Sequence, residues 1–341
     1  MPAQQNSKME TILQTLREEL NEKKYELNSR FPSEYLLAER FDVNKTTANK
    51  AVARLITEGY LKRGRGGQGT IVVRQYAFPK KHIVFLGNIE HPFYAAEAQA
   101  LQDAALRDHS LVSMAMPPID QLNSFLNDLQ SMKIDAIVTS AYWLLPEIDI
   151  PILYLEDKIG NIKTTNYVAT NSYHAAYQMM QEVLKRGHRD IVLVHRTNNN
   201  PDRLHGYYDA MRQAGIMDYE QRTFSALEAT IGEAKLILKR IRRQYPNFTA
   251  IVACSDNNIY RMIVGMQHEK IEWIGKKALV GFGNVAGVSD VYPIATVDQH
   301  PVQIGAEAYR QILRKIANPD ITIKELLDSE LVNLQNIPII N

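Results

Sequence analysis

The pattern of apolar and polar positions divides the chain into two parts with different periodicities. Apolar residues recur at helical spacing between residues 10 and 27, and Pro32 interrupts this first helix. Beyond residue 81, apolar runs of strand length alternate with helical stretches, which predicts βα units and parallel sheets. The predicted strands are His82–Leu86, Leu111–Met114, Ala136–Thr139, Ile152–Tyr154, Ile191–His195, Ala250–Cys254 and Ala278–Phe282.

Two further helices follow the first one. Ser33 is a candidate N-cap for the helix that begins at Glu34, and Asn44 or Thr46 is a candidate for a helix that ends at Glu58. Two short helices joined by a tight turn form a helix-turn-helix unit. Short strands over residues 59–62 and 70–73 flank a glycine-rich loop, which predicts a positively charged hairpin tip.

Charge is distributed unevenly along the 341 residues, a length typical of about two domains. The whole chain carries 39 Lys/Arg and 38 Asp/Glu, but residues 1–75 hold 13 Lys/Arg against nine Asp/Glu. Within residues 45–74, seven cations face a single acid, Glu58. A basic module on a mildly acidic body indicates a polyanionic partner for the module alone.

Several classes of protein are disfavoured by composition and motifs. The lone Cys254 can form neither an intramolecular disulfide nor a cysteine zinc cluster, and it is interpreted as a buried strand residue. The sequence has no signal peptide and no apolar run of membrane length, so we expect a soluble cytoplasmic protein at the nucleoid. The glycine-rich stretches 64–69 and 281–287 fit nucleotide-binding patterns poorly, and no catalytic residue, metal site or cofactor is expected.

The start of the second helix of a helix-turn-helix enters the major groove, where side chains reach base edges. Here it offers Asn44, Lys45, Thr46, Thr47 and Asn49. Lysine donates to guanine, asparagine pairs with adenine, and threonine meets a phosphate or a thymine methyl group. The alternative is an ordinary polar helix start on the protein surface.

Residues 8–74 resemble the winged helix-turn-helix of the gluconate-repressor (GntR) family. The resemblance rests on Phe31-Pro32-Ser33-Glu34, Val43-Asn44-Lys45-Thr46-Thr47 and Gly66 to Thr70. It implies double-stranded operator DNA as partner, with Gly66 to Thr70 as the wing. The residues predicted to contact DNA are Ser33, Tyr35, Asn44, Lys45, Thr46, Thr47, Asn49, Lys50, Arg65, Gly67 and Gln68. Tyr35 and Asn49 depart from the family, which commonly has arginine at both positions.

Residues 81–341 resemble the effector domain of the lactose/galactose-repressor (LacI) family, which is similar to periplasmic binding proteins. The landmarks are His91-Pro92-Phe93-Tyr94, Gly187-His188-Arg189, Arg203-Leu204-His205-Gly206-Tyr207, Ser255-Asp256-Asn257, Val280-Gly281-Phe282 and Thr296 to Gln299. The family's own helix-turn-helix and hinge helix are missing. This fusion resembles the arabinose repressors of Gram-positive bacteria.

The two resemblances together imply an α/β protein with three parts. A winged helix-turn-helix spans residues 1–74, a linker spans 75–81, and a bilobed effector domain of two doubly wound parallel sheets spans 82–341. The first lobe is placed at about 82–186 and 290–320, and the second at about 187–289 and 321–341.

A polyol site needs polar side chains that bracket hydroxyl groups and an aromatic wall. Arg203, Asp256 and Gln299 are the polar candidates, and Phe93, Tyr94 and Tyr142 are the candidate wall. Alternatively, Arg203 forms a surface salt bridge, Asp256 caps the helix that begins at Asn257, and Phe93 and Tyr94 belong to the core.

Two acids that are frequent in the family are absent. Gly283 follows Val-Gly-Phe where an acid is common, and Thr170-Asn171 lacks another. This leaves open a neutral sugar held by fewer carboxylates, or an anionic ligand paired with Arg203, Arg196 or His195.

The sequence therefore predicts a ligand-controlled transcription factor. We expect a homodimeric repressor of carbohydrate uptake or catabolism genes, released from its operator by a sugar or sugar derivative such as arabinose. An activator of the same architecture is indistinguishable at this level. A sugar-binding or sugar-processing enzyme with a basic helical head is the alternative from another class, but no acid/base pair is evident.

Overall fold

A computed structural model describes residues 2–76, 78–140, 142, 145–156, 166–195, 201–227 and 230–340. The chain forms two compact units, Met1–His82 with Ala105–Leu111 and the remainder of the chain, and each is described by itself. Within the described residues, no helix combines the length and the apolar character needed to span a membrane.

The first unit contains a winged helix. Its elements are α1 (Pro2–Asn21), α2 (Glu34–Arg40), α3 (Lys45–Thr57), β1 (Leu61–Arg63) and β2 (Thr70–Val72). The two strands pair antiparallel, with Arg63 opposite Thr70. The apolar face predicted for the first helix is buried, and it packs with residues from α2, α3 and β2; these residues are Ile12, Leu13, Leu16, Leu20, Leu37, Ala51, Val52, Leu55 and Val72.

Side-chain caps begin the two helices of the helix-turn-helix. The Ser33 hydroxyl accepts a hydrogen bond from the Leu36 amide, and Asn44 Oδ1 accepts one from the Thr47 amide at 2.8 Å. Both satisfy amides that the first turn of a helix leaves without a partner. The predicted cap at Ser33 is confirmed, and Asn44 rather than Thr46 caps the second helix.

The second unit is built from βα units. In chain order its elements are β3 (His82–Leu86), α4 (Pro92–Arg107), β4 (Leu111–Ala115), α5 (Leu122–Ser131), β5 (Ala136–Thr139), β6 (Ile152–Leu155), β7 (Tyr167–Thr170), α6 (Ser172–Lys185), β8 (Ile191–His195), α7 (Pro201–Gln213), β9 (Thr223–Ser225), α8 (Ile231–Gln244), β10 (Ala250–Ala253), α9 (Asp256–His268), β11 (Ala278–Val280), β12 (Thr296–Asp298), α10 (Pro301–Ala317), β13 (Lys324–Leu327), β14 (Glu330–Val332) and a 3-10 turn over Leu334–Asn336.

Two sheets organise this unit into two lobes. The first lobe holds a six-stranded sheet of order β13-β7-β6-β5-β3-β4, and the second holds a four-stranded sheet of order β11-β10-β8-β9. The four-stranded sheet is parallel throughout. A two-stranded ribbon of β12 and β14 continues beside β11 through a bridge from Ala295 to Val280. Strands covered by helices on both faces explain the nearly continuous apolar runs in the sequence.

The chain crosses between the lobes at positions that differ from the predicted boundaries. The first crossing follows Thr170 rather than residue 186, because α6 packs its apolar face into the core beside β8, β10 and α7. The C-terminal part is also divided differently. Strand β13 pairs with β7 in the first lobe, whereas the sequence boundary had placed residues 321–341 entirely in the second.

Two of the landmark motifs have structural roles. In Arg-x-x-Gly-Tyr, a Cβ atom on Gly206 would lie 2.3 Å from the Tyr173 carbonyl oxygen, so glycine permits the close contact of α6 and α7. In Gly-His-Arg, the buried His188 ring bonds Thr249 Oγ1 at 3.0 Å and the Pro338 carbonyl oxygen at 2.9 Å. The second motif therefore fastens the C-terminal segment to the second lobe.

Candidate functional site

The predicted operator-contacting surface lies on α3 and the wing. Five of the predicted residues at the start of α3 are exposed, namely Asn44, Lys45, Thr46, Asn49 and Lys50. Arg65, Gly67 and Gln68 are exposed at the tip of the hairpin. Positive φ angles of 60° and 81° at Gly66 and Gly67 form the turn there, where other residue types would be strained.

The structure gives three of the predicted DNA contacts a further local function. Thr47 is buried, and its hydroxyl donates to Asn44 Oδ1 at 2.9 Å, so the two side chains hold each other at the helix start. The Ser33 hydroxyl is occupied as a cap. Thr47 is therefore corrected from a base-reading candidate to a structural residue.

Tyr35 and Asn49, the two residues that depart from the GntR pattern, each contact the cationic side chain of another residue. The Lys45 ammonium lies 3.8 Å from the centre of the exposed Tyr35 ring. Arg63 Nη2 donates to Asn49 Oδ1 at 3.1 Å. Arg63 was not among the predicted DNA contacts, because the sequence does not show that this residue of β1 lies beside Asn49 on α3.

The candidate effector site forms where strands of both lobes end. Glu156 directly follows β6, and Thr170 ends the neighbouring β7. Because β6 and β7 are parallel, their carboxyl ends meet at one edge of the sheet, where ligands of such folds bind. Gln299 follows β12, and Arg203 lies in the first turn of α7 on the second lobe.

These four side chains form one polar cluster. Glu156 Oε1 accepts hydrogen bonds from the Thr170 amide at 2.8 Å and its hydroxyl at 2.7 Å. The Gln299 amide nitrogen donates to Glu156 Oε2 at 2.7 Å and to Thr170 Oγ1 at 3.2 Å. Arg203 Nη2 lies 3.9 Å from the same Glu156 oxygen, so a cation of one lobe faces a carboxylate of the other.

Arg203 is positioned by the second lobe. Its Nη1 donates to the Cys254 carbonyl oxygen at 2.9 Å, and its guanidinium lies over the Phe282 ring at 3.8 Å. The Arg203 side chain is 13% exposed. Stacking on the aromatic ring fixes the plane of the guanidinium, so its remaining donors have a set direction.

Glu156 supplies a carboxylate that the sequence interpretation overlooked. It has φ of 59°, an uncommon conformation for a residue with a side chain and one often found at functional sites. One signal was available in the sequence: Glu156 directly follows an apolar strand, at the position where parallel sheets place their ligand-binding groups. The acids absent at Thr170 and Gly283 therefore do not leave this cluster without a carboxylate.

Two predicted effector residues are structural. Asp256 is fully buried, with Oδ1 accepting from the Thr296 hydroxyl at 2.6 Å and Oδ2 from the Val285 amide at 2.7 Å. Burial raises its pKa. It does not cap the helix either, because the Ser255 side chain does so. Tyr142 packs in the core of the first lobe and donates its hydroxyl to the Pro117 carbonyl oxygen, so it forms no wall.

The remaining aromatic candidates lie at the start of α4. Phe93 is buried and contacts the half-buried Tyr94 edge to face. Beside them, His91 Nε2 and the side-chain amide of Asn257 share a hydrogen bond of 2.9 Å that joins the two lobes. Burial lowers the pKa of His91. Arg196 lies outside the described residues, and His195 is buried at the end of β8.

In the part of the chain that the structure describes, no group of three His, Cys, Asp or Glu side chains is arranged to hold a metal ion.

The chain combines a winged helix, which exposes cations and amides, with a two-lobed domain whose polar cluster draws on both lobes. This combination defines a ligand-responsive DNA-binding regulator. Residues 81–332 match the model for periplasmic binding proteins and the sugar-binding domain of the LacI family, and residues 8–72 match that for bacterial regulatory proteins of the gntR family. The chain belongs to the LacI-type family and carries a GntR-type helix-turn-helix.

Individual relatives are similar at low identity. The transcriptional regulator GalR of Escherichia coli K12 is 24% identical over 257 residues, covering 70% of this chain and 73% of GalR. The repressor PurR of Proteus mirabilis is 22% identical over 244 residues, covering 67% of this chain and 71% of PurR. The structure of the regulator CelR with cellobiose superposes with a TM-score of 0.67 at 17% identity, covering 89% and 98% of the two chains.

The predicted fold class and the two family resemblances are confirmed. These relatives are transcriptional regulators, which supports a regulator over a sugar-processing enzyme.

Proposed function

We propose that this protein is a repressor of carbohydrate uptake or catabolism genes that leaves its operator when a sugar binds between the lobes. The observation that carries the proposal is the cluster of Glu156, Thr170, Gln299 and Arg203, which brings acceptors and donors from both lobes to one place. Adjacent sugar hydroxyls need such a mixture, since each hydroxyl both donates and accepts.

The charge of the cluster favours a neutral sugar over a phosphorylated one. The Arg203 guanidinium already faces Glu156, and its Nη1 is bonded to a backbone carbonyl. A phosphate that approached Arg203 would also approach the Glu156 carboxylate, and like charges at short distance oppose binding. We therefore propose a neutral sugar as effector, and arabinose, which the resemblance to arabinose repressors suggests, is the first to be tested, followed by hexoses and disaccharides.

Operator binding is assigned to α3 and the wing. Two copies of the chain would present two such modules to the half-sites of a palindromic operator, so we propose a homodimer. The cations on the module, among them Lys45, Lys50 and Arg65, would neutralise phosphates and make the affinity fall steeply with salt.

The test is fluorescence anisotropy of the full chain on labelled DNA from its own upstream region, with a panel of pentoses, hexoses, disaccharides and their phosphates. We expect tight, salt-dependent binding that one neutral sugar releases. Sedimentation velocity of the complex on the same DNA measures the number of chains, and two are expected. Release by a sugar phosphate but not by its free sugar would contradict the assignment to the Glu156 cluster.

A matched pair of variants ties the response to this cluster. Arg203→Lys keeps the charge but loses the planar fork, and Arg189→Lys makes the same change at a residue whose guanidinium donates to the Leu184 and His188 carbonyl oxygens. We expect the first variant to weaken sugar binding at least tenfold and the second to leave it unchanged. Equal responses would remove Arg203 from the effector site.

A further inference from the structure

The amide of Asn49 has a fixed orientation on the surface of α3. Arg63 Nη2 lies 3.1 Å from Asn49 Oδ1. A guanidinium only donates hydrogen bonds, so the side-chain oxygen of Asn49 must face Arg63 and its NH₂ group must be the end directed away. Asn49 itself is exposed, one turn into the helix that the DNA-binding module presents.

Arg63 is held in place by three elements at once. Its Nη1 donates to Glu34 Oε1 at 2.6 Å, at the start of α2, and to Thr70 Oγ1 at 3.0 Å, on the partner strand of the wing. The Arg63 side chain is 52% exposed, whereas Glu34 is 20% exposed. The guanidinium is thus oriented before DNA arrives, and the orientation of Asn49 follows from it.

This orientation limits which base Asn49 can recognise. Asparagine pairs with adenine by accepting from N6 through its oxygen while donating to N7 through its nitrogen. In this protein the bond from Arg63 turns the Asn49 oxygen toward the guanidinium and leaves the NH₂ group as the end directed away, so we infer that Asn49 presents its donors to the base. The guanine edge in the major groove offers two acceptors, N7 and O6, and no donor, whereas adenine would leave its N6 amino group facing no acceptor.

The rest of the helix start has the same chemistry. Asn44 Oδ1 accepts from both the amide and the hydroxyl of Thr47, so its NH₂ end is again the one directed away. Lys45 has donors alone. The Thr46 hydroxyl is the group at the start of α3 that can accept a hydrogen bond from a base.

We propose that Arg63 is a positioning residue that makes Asn49 a donor-only reader, so that the operator base opposite Asn49 is guanine and not adenine. This inference rests on the proposed operator binding. It assigns Arg63 a role in sequence preference, which differs from that of a phosphate-binding cation, since loss of a phosphate contact weakens all sequences alike.

The experiment is selection of DNA sites from a library of randomised duplexes by the full-length protein, followed by sequencing. Four proteins are compared: the unaltered chain and the variants Asn49→Ala, Arg63→Met and Lys62→Met. Lys62 is the matched control, because it is an exposed cation beside Arg63 on the same strand, and successive side chains of a strand point to opposite faces. Circular dichroism and thermal unfolding establish that each variant is folded.

The unaltered chain should select guanine at one position in each half-site, and Asn49→Ala should relax that position alone. Arg63→Met frees the Asn49 oxygen, and we expect the preference there to move toward adenine by about tenfold. Lys62→Met should leave the preference intact.

Two results would overturn the proposal. Selection of adenine by the unaltered chain at the position that Asn49→Ala relaxes would show that the amide oxygen is available. An unchanged base preference in folded Arg63→Met would reduce Arg63 to a phosphate contact or a structural residue. If Arg63→Met does not fold, the test rests on the base that the unaltered chain selects at the position where Asn49→Ala loses its preference. Enrichment of no sequence by any protein would instead contradict operator binding itself.

Discussion

At the scale of single residues, the acid that the sequence offered most visibly as a ligand serves the fold. Asp256 is fully buried, and Gly281 lies so close that a Cβ atom there would be 2.0 Å from Asp256 Oδ1. A buried carboxylate is tolerated only when its oxygens are hydrogen-bonded, and here Thr296 and the Val285 amide provide those bonds. The three segments of the second lobe that meet at Asp256 are therefore fastened to one another.

We expect Thr296→Val to lower the free energy of unfolding by about 1–3 kcal/mol, because it leaves Asp256 Oδ1 without its hydroxyl donor in a buried site. Urea unfolding followed by circular dichroism measures the change. Thr322→Val is the control, since Thr322 is exposed and its substitution should stay within about 0.5 kcal/mol. Equal effects from both variants would mean that the bond to Asp256 contributes nothing.

His188 predicts how stability depends on pH. Burial lowers its pKa, and the nearby Arg186 acts in the same direction. A histidine whose pKa is lower in the folded state is held there in its neutral form. Its contribution to the free energy of unfolding is complete above its unfolded pKa of about 6.5 and is lost as the pH falls below that value. His91 acts in the same direction.

Denaturant unfolding between pH 7.5 and 5 should therefore show stability falling with acidification, and His188→Gln should reduce that slope while lowering stability at pH 7.5. His205→Gln is the control, because His205 is exposed. An unaltered slope in His188→Gln would assign the pH dependence to other groups.

At the scale of elements, the contact between α6 and α7 depends on one glycine. A Cβ atom on Gly206 would lie 2.3 Å from the Tyr173 carbonyl oxygen and 2.9 Å from the Tyr177 amide nitrogen, both backbone atoms that cannot rotate away. Gly206→Ala should therefore separate the helices and cost about 2 kcal/mol, despite the higher helix propensity of alanine.

Thermal unfolding of Gly206→Ala should show a lower melting temperature. The control is Gly232→Ala near the start of α8, where the nearest neighbour of a new Cβ atom would be 3.7 Å away. That change should be neutral or stabilising by up to about 1 kcal/mol. A stabilised Gly206→Ala would contradict close packing at this crossing.

Local sequence patterns predicted some elements and could not predict others. Strands such as Ile191–His195 were evident because both faces are buried, which gives an unbroken apolar run. Strand Lys324–Leu327 lies at a sheet edge with alternating exposed positions, and its charged residues conceal it. The site was only partly predictable. Arg203 and Gln299 were found from motifs, but Glu156 acquires its importance from residues that lie far away in sequence.

At the scale of the whole molecule, regulation requires that the effector favour one state of the two lobes over another. A ligand that binds two states equally shifts neither, so the contacts made only between the lobes matter most. Two such contacts are the approach of Arg203 to Glu156 and the hydrogen bond between His91 and Asn257. The second is made by residues outside the proposed sugar-binding cluster, which makes it a probe of the change between states.

We expect Asn257→Ala to raise the sugar concentration for half-release of the operator about fivefold, because it removes a hydrogen bond worth about 1 kcal/mol from the state in which the lobes meet. Operator affinity without sugar should not fall, since the α3 surface is unaltered and the variant disfavours the state that sugar stabilises. Anisotropy titrations of one operator at several sugar concentrations measure both quantities. Asn247→Ala, at an exposed loop position, is the control and should behave as the unaltered chain. If Asn257→Ala left the half-release concentration unchanged, the contact between the lobes would be independent of sugar binding, and the Glu156 cluster alone would have to couple the effector to the operator.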